Sequence, residues 1–384
     1  MDKDELRAWL RLSMTDGVGN DAARQLLACF GSPQAVFEQT ETALRHVATP
    51  KQAQALLTVP NELAVQCVRT HQWLMHQPDT HTHALWTLGD THYPPELLQL
   101  ADPPLMIYVA GQTQRTLGNA VAIVGSRNPT PQGAQTAEQF GEALCAAGLC
   151  VVSGLALGVD GAAHKGALRG GASCTVDGKH WHTVAVVGTG LDRVYPRQHQ
   201  TLASQIALHG LLISEYHLDT APLAHHFPKR NRIIAALGLG TLVVEAALKS
   251  GSLITAKMAL DLNREVLAIP GSIHATQSHG CHALIRQGAK LVENAQDVLE
   301  ELQLAPQQQV NLFAEALEAE DDAGASGDGH PLLIHMGFAP VSLDALQARC
   351  GLDTATLQAQ LLTLELDGAV GRLPGGLFQQ LAAA

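Results

Sequence analysis

Between residues 120 and 302 the chain repeats one pattern: a short run of aliphatic and β-branched residues, then a longer stretch of helical periodicity. A strand that is apolar on both sides of its pleat has to be covered on both faces. Intervening helices provide that cover when the strands run parallel. The pattern therefore predicts an α/β fold with a mainly parallel sheet. Strands are expected at 121–124, 149–152, 184–187, 211–213, 241–244 and 266–269, with 290–292 as an edge. In such a sheet, ligands bind beyond the C-terminal strand ends, so the residues after each run are where chemistry is sought.

At 384 residues the chain exceeds what one hydrophobic core normally organises. Residues 1–80 read as a small helical domain, because Leu6, Leu10 and Leu12, then Ala22, Leu26, Leu27 and Phe30, recur at helical spacing. Gly17-Val18-Gly19-Asn20 between its first helices is read as a glycine-permitted connection rather than a phosphate-binding hairpin. Residues 81–304 form the α/β domain. Residues 305–330, with three consecutive Gln and a run of acids, have the composition of a flexible acidic linker. Residues 331–384 predict a winged helix, with helices at 331–335, 343–350 and 354–366 and a wing at 371–381.

The net charge of −12 is unpromising for a nucleic-acid binder, yet residues 305–384 hold ten acids and two bases, and so two thirds of the excess. Distant acids are screened over roughly 8–10 Å, so a local basic groove in the central domain stays possible. The winged helix is different. Its third helix carries Glu365 and Asp367 with no base, and the domain's cations are Arg349 and Arg372, so a protein-contact or regulatory role is expected of it. The seven scattered cysteines predict neither disulfides nor a thiolate metal site, and no cofactor is expected. With no apolar stretch long enough to span a bilayer, a cytoplasmic protein is expected.

The first strand runs into Gly125-Ser126-Arg127 and a helix follows, so free amides and a guanidinium fork face one point. The second ends in Ser153-Gly154 and Gly158-Val159-Asp160, where Asp160 is read foremost as a helix cap, and the following helix carries Lys165. The third opens into Gly188-Thr189-Gly190, then Tyr195-Pro196-Arg197. After the fourth comes Phe227-Pro228-Lys229-Arg230-Asn231-Arg232, the densest cationic cluster in the chain. Glycines and cations gathered on one rim suit a polyanion track better than a lone nucleotide. Tyr195 and Phe227 could stack bases, which in single-strand binding is worth about 1–3 kcal/mol per base.

In order and spacing these segments, with Ser250-Gly251-Ser252, Pro270-Gly271, Tyr93-Pro94 and Pro103-Pro104, resemble the DprA (Smf) family across nearly the whole chain. The resemblance implies an extended Rossmann fold flanked by a helical domain of the sterile-alpha-motif type and a winged-helix domain. It implies a non-enzymatic protein that binds single-stranded DNA entering by natural transformation, forms a homodimer and loads the RecA recombinase. The DNA-binding set it implies is Gly125, Ser126, Arg127, Gly154, Lys165, Gly188, Gly190, Arg197, Phe227, Lys229, Arg230, Asn231 and Arg232. The dimer surface would hold His282, Ile285 and Leu291, and RecA would touch residues 255–264.

Two features depart from the family pattern: the acidic winged helix, and a long segment at 171–182 containing Cys174, Asp177 and Trp181, read as an inert surface loop. The rival reading is a phosphoribohydrolase-like nucleotide enzyme using Glu245. The chain lacks the Pro-Gly-Gly-x-Gly-Thr loop of that enzyme, the Gly-x-Gly-x-x-Gly turn of a dehydrogenase, and the Gly-Lys-Ser/Thr of an ATPase.

Overall fold

The computed structural model describes residues 1–173, 179–304, 330–337 and 340–381. Six helices open the chain: α1 (Lys3–Met14), α2 (Asn20–Phe30), α3 (Pro33–Phe37), α4 (Glu41–Leu44), α5 (Pro50–Leu57) and α6 (Leu63–Met75). Most start where a short polar side chain can take up a free amide, as Asp2, Ser32, Thr40 and Thr49 do. In the glycine turn at 17–20, Gly17 adopts φ +72° and Val18 points into the core.

Nine strands form one sheet: β1 (Thr82–Thr87), β2 (Met106–Gly111), β3 (Ala120–Val124), β4 (Cys150–Ser153), β5 (Thr183–Val186), β6 (Leu211–Ser214), β7 (Gly240–Val243), β8 (Glu265–Ala268) and β9 (Lys290–Leu291). Their order is β1-β2-β6-β5-β4-β3-β7-β8-β9. From β6 through β9 in this order all pairs are parallel, whereas β1 with β2 and β2 with β6 are antiparallel. The chain winds outward from β3 to β6, then returns beside β3 at β7. That reversal opens a crevice between the C-terminal ends of β3 and β7.

Among the described residues seven helices flank the sheet: α7 (Pro131–Ala146), α8 (Val159–Ser173), α9 (Gln200–His209), α10 (His226–Leu237), α11 (Ser252–Asp261), α12 (His279–Arg286) and α13 (Ala295–Glu301). The side chains of β3 alternate between two cores. Val121 and Ile123 pack with Phe140, Leu144 and Val159 of α7 and α8, while Ala122 and Val124 pack with Ile233 and Ala236 of α10 and with Ala256 of α11. This explains why the run is apolar on both faces. Helices α7 and α8 meet so closely that a Cβ on Gly170 would lie 2.1 Å from the carbonyl oxygen of Glu142.

The edge strands β1 and β2 were not foreseen. Their outer face shares a core with the first helices: Leu85, Met106 and Tyr108 pack with Leu10, Leu26 and Leu56, so the helical unit is seated directly on the sheet edge. In the segment between these strands, the buried Tyr93 hydroxyl donates to the Pro104 carbonyl at 2.8 Å. The 171–182 segment is not an inert loop where it is described. Trp181 is 5% exposed, stacks near Trp86 and donates from its indole nitrogen to the Gln112 carbonyl at 2.7 Å. Cys174 and Asp177 lie outside the described residues, as does the expected linker apart from His330. Cys29, Cys67, Cys150, Cys281 and Cys350 are free thiols.

The last unit comprises α14 (Pro331–Met336), β10 (Val341–Ser342), α15 (Leu343–Cys350), α16 (Thr354–Leu366), β11 (Val370–Leu373) and β12 (Leu377–Gln380). Strand β12 lies between β10 and β11, giving three helices and a wing. The wing rests on the start of α7, where a Cβ on Gly371 would meet Pro131 at 2.8 Å. Among the described residues, no helix is long and apolar enough to cross a membrane.

Candidate nucleic-acid interface

The loops after β3, β4 and β5 are joined to one another. The Val159 amide at the start of α8 donates to the Ser126 carbonyl at 3.1 Å. Gly158 between them holds φ +81°, and a Cβ there would lie 2.4 Å from that same carbonyl, so only glycine fits. Asp160 does not cap α8. It lies within the first turn, is buried, and accepts from the Ala156 amide at 3.3 Å, bracing the loop. Burial pushes its carboxyl up, against the lowering effect of the Arg230 charge.

Beyond these loops opens a cleft of about 500 Å³ at the β3/β7 switch point. Gly125, Ser126, Arg127, Arg230 and Asn231 line it, together with Lys249, Ser250, Ser252 and Gln277. The second group is absent from the expected DNA-binding set, because a serine at a helix start ordinarily caps or packs it. Here the Ser250 and Ser252 hydroxyls bond each other at 2.7 Å beside the exposed Lys249 and the start of α11.

The cationic cluster on α10 divides three ways. Lys229 faces outward with 48% of its side chain exposed, its ammonium 5.9 Å from the Tyr216 ring and 3.6 Å from Glu215. Arg232, one turn on and on the same side of the helix, pairs with the buried Glu215 and approaches Asp102 at 3.8 Å. Arg230 points inward: it is 3% exposed and donates to the Gly154 carbonyl at 2.6 Å and to that of Val186. Burial lowers its pKa to about 10. Its reading as a freely offered phosphate contact is therefore corrected. Arg230 ties the strand ends of β4 and β5 to α10, and Arg232 is held by carboxylates. A Cβ on Gly154 would overlap the Arg230 guanidinium at 2.4 Å, so this glycine makes room for the strut and does not turn toward a ligand.

Arg127, Arg197, Lys229 and Lys165 are exposed, and Asn231 is partly so. The Arg127 guanidinium sits 5.4 Å over the Phe227 ring, whose centroid is 5.6 Å from that of Tyr195. Phe227 also packs on Gly188, 3.3 Å from where its Cβ would be. Arg197 begins the single turn after Pro196, and the nearby His199 ring bonds the Leu155 carbonyl at 2.9 Å. The structure thus brings Arg127, Phe227 and Tyr195 together, with Arg197 two residues beyond Tyr195 and Lys229 two residues beyond Phe227. Gly190 is set back, packed near His217 and Asp219, and Lys165 projects from the second turn of α8 outside the cleft lining.

Glu245 lies on the other side of the 125–130 loop. Both carboxylate oxygens are engaged at the start of α7, by the Thr130 amide at 2.9 Å and the Thr130 hydroxyl at 2.6 Å. Burial pushes its pKa up. His282, Ile285 and Leu291 come together in an apolar groove with Leu248 and Ile273, which are 59% and 72% exposed.

A doubly wound sheet with hydroxyls and cations lining a cleft at its switch point, carrying a winged helix, defines a Rossmann-type protein. The family model of DNA recombination-mediator protein A matches residues 84–303, and that of the DprA winged helix domain matches residues 316–376. The chain is 37% identical to Protein Smf of Escherichia coli over 375 residues, 96% of this chain and 94% of that protein. It belongs to the DprA (Smf) family. Among solved structures, DNA processing protein A from Streptococcus pneumoniae superposes with a TM-score of 0.64 at 34% identity, over 78% of this chain and 98% of that one. That from Helicobacter pylori, described for its single-stranded-DNA-binding mode, gives 0.50 at 30% identity, over 57% and 95%.

Proposed function

We propose that this chain binds single-stranded DNA along the edge formed by Arg127, Phe227, Tyr195, Arg197 and Lys229, with one phosphate drawn into the Ser126–Lys249 cleft. The observation that carries the reading is the alternation of exposed cations with two neighbouring aromatic rings, at the spacings given above. Cations neutralise successive phosphates while rings stack on bases of any sequence, and a duplex, whose bases are already stacked, cannot use the rings. The Helicobacter pylori relative's described binding of single strands supports the assignment. We further propose that two copies pair through the groove of His282, Ile285 and Leu291. The DNA-laden dimer would load RecA in the cytoplasm through the neighbouring α11 face, where Ile254 and Leu260 are 42% and 51% exposed.

We read the role as binding rather than catalysis, a reading supported by the hold that the Thr130 amide and hydroxyl keep on Glu245, the acid the rival reading needs, at the start of α7. The deciding measurement is binding of labelled oligo-dT, with duplex as competitor, for the parent chain and for Arg127→Glu. Retained binding in the variant, or equal competition by duplex, sinks the edge. Turnover of a nucleoside monophosphate by pure protein, lost in Glu245→Gln, would establish the enzyme instead.

A further inference from the structure

Helix α16 occupies the place at which a winged helix usually enters a DNA groove, yet its chemistry is wrong for that and right for something else. Its inner face, Leu357, Leu361 and Leu364, packs the core of its own domain. Its outer face is also apolar: Ala355, Ala359, Leu362 and Leu366 follow one another at helical spacing, and the two leucines are 58% and 80% exposed. The helix thus carries two apolar stripes, separated by Thr356, Gln360 and Thr363 on one flank and by Thr354 and Gln358 on the other, and an exposed stripe with two leucines is a surface that a partner can cover. The wing strands β11 and β12 make the contact with α7, and among the described residues the stripe on α16 stays open.

The charge at the stripe's end shows what kind of partner fits. Glu365 and Asp367 stand at the C-terminus of α16, where the helix dipole is already negative, and the last turn has no basic residue. Among the described residues, no cation pairs with either acid. Arg349 donates instead to the His335 carbonyl at 3.4 Å, and Arg372 lies 5.3 Å from the Phe378 ring. An apolar stripe ending in uncompensated negative charge repels a phosphate backbone. It also disfavours a second copy of itself, which would bring the same acids. It complements a helix with a leucine-like stripe flanked by lysine or arginine.

We propose that the outer face of α16 is a docking site for a basic amphipathic helix of a partner protein. Leu362 and Leu366 are the apolar anchors, and Glu365 and Asp367 receive the partner's cations. The surface is separate from the DNA edge and does not depend on it.

The test uses the full chain and two labelled helical peptides of about 18 residues, five turns, one patterned Leu/Lys and the other Leu/Glu. The Leu/Lys peptide should bind, more weakly as salt rises. The double variant Leu362→Ser/Leu366→Ser should lose at least about tenfold in affinity, as expected for anchors at the centre of an interface. Both leucines are exposed, so the variant keeps its fold, confirmed by unchanged oligo-dT binding and melting temperature. The double variant Glu365→Gln/Asp367→Asn should flatten the salt response. Three results overturn the proposal: a loss under about twofold in the leucine variant, equal binding of the Leu/Glu peptide, or a leucine variant that alters self-association or duplex retention.

Discussion

Replacing Arg230 separates a structural guanidinium from a ligand-binding one. In Arg230→Met the side-chain volume is roughly kept, but the carbonyls of Gly154 and Val186 lose their donor and Asp160 loses the positive charge that offsets its burial. An orphaned buried acceptor costs about 1–3 kcal/mol, and stranding one member of a buried charged set about 3–5 kcal/mol. These overlap, so a net loss of about 3–5 kcal/mol is expected. At about 2–4 °C per kcal/mol for a domain of this size, the melting temperature should fall by roughly 10 °C. The exposed Arg127→Met should stay within about 0.5 kcal/mol of the parent. The deficit should also depend on pH. Asp160 has a folded pKa already above its ordinary value of 3.8, and removing Arg230 raises it further. A carboxyl raised on folding is harmless below its unfolded pKa and subtracts stability as pH climbs through its folded value. The Arg230→Met deficit should therefore be smaller at about pH 4 than at pH 7. Melting followed by circular dichroism, paired with oligo-dT titration, decides the matter. If Arg230→Met melts with the parent yet loses as much DNA affinity as Arg127→Met, then Arg230 is a phosphate ligand and the strut is wrong.

Further expectations follow from the same geometry. With Arg127, Arg197, Lys229 and Lys249 as the phosphate-facing cations, oligo-dT affinity should fall with a log–log salt slope near about −3, at about 0.7 per contact, and Arg127→Ala should reduce it by roughly one contact. A flat response argues against an electrostatic edge. Trp181→Ala should cost about 3–5 kcal/mol in denaturant titration, since the indole is a core side chain with its nitrogen hydrogen-bonded. A change under about 1 kcal/mol would return that segment to the surface. Leu291→Glu places a charge at the half-exposed lining of the apolar groove and should shift the chain to monomer in sedimentation velocity, with the melting temperature little changed. Gly158→Ala, at φ +81° and against the Ser126 carbonyl, should cost about 1–3 kcal/mol and weaken oligo-dT binding by displacing the 125–128 loop.

The parallel strands were legible because their information is local. An apolar run between glycines and prolines says strand whatever surrounds it, and all six expected runs, with the short edge at 290, are strands within one or two residues. The winged helix was legible for the same reason, its helices being marked by Ser342 and Asp353 as caps and by Gly351 as a left-handed stop. Strands β1 and β2 escaped notice. His83 and Thr87 interrupt one, Tyr108 and Gly111 the other, and what makes them strands is pairing with each other and with β6. Trp181 escaped because its loop reads as polar, and only the fold shows that it folds back onto Trp86.

At the site itself, the sequence determined where strands end, which loops carry glycine, and that cations cluster at the start of one helix. It could not determine which way those cations point. Consecutive residues on an α-helix differ by about 100° in direction, so Lys229, Arg230, Asn231 and Arg232 sweep nearly the whole circumference. Packing of α10 on the sheet then sends Arg230 to strand-end carbonyls and Arg232 to the buried Glu215, and leaves Lys229 half-exposed beside the same carboxylate. Neighbours in sequence became a strut, a buried ion pair and a half-exposed charge, because direction around a helix acquires meaning only once the helix has something to lie against.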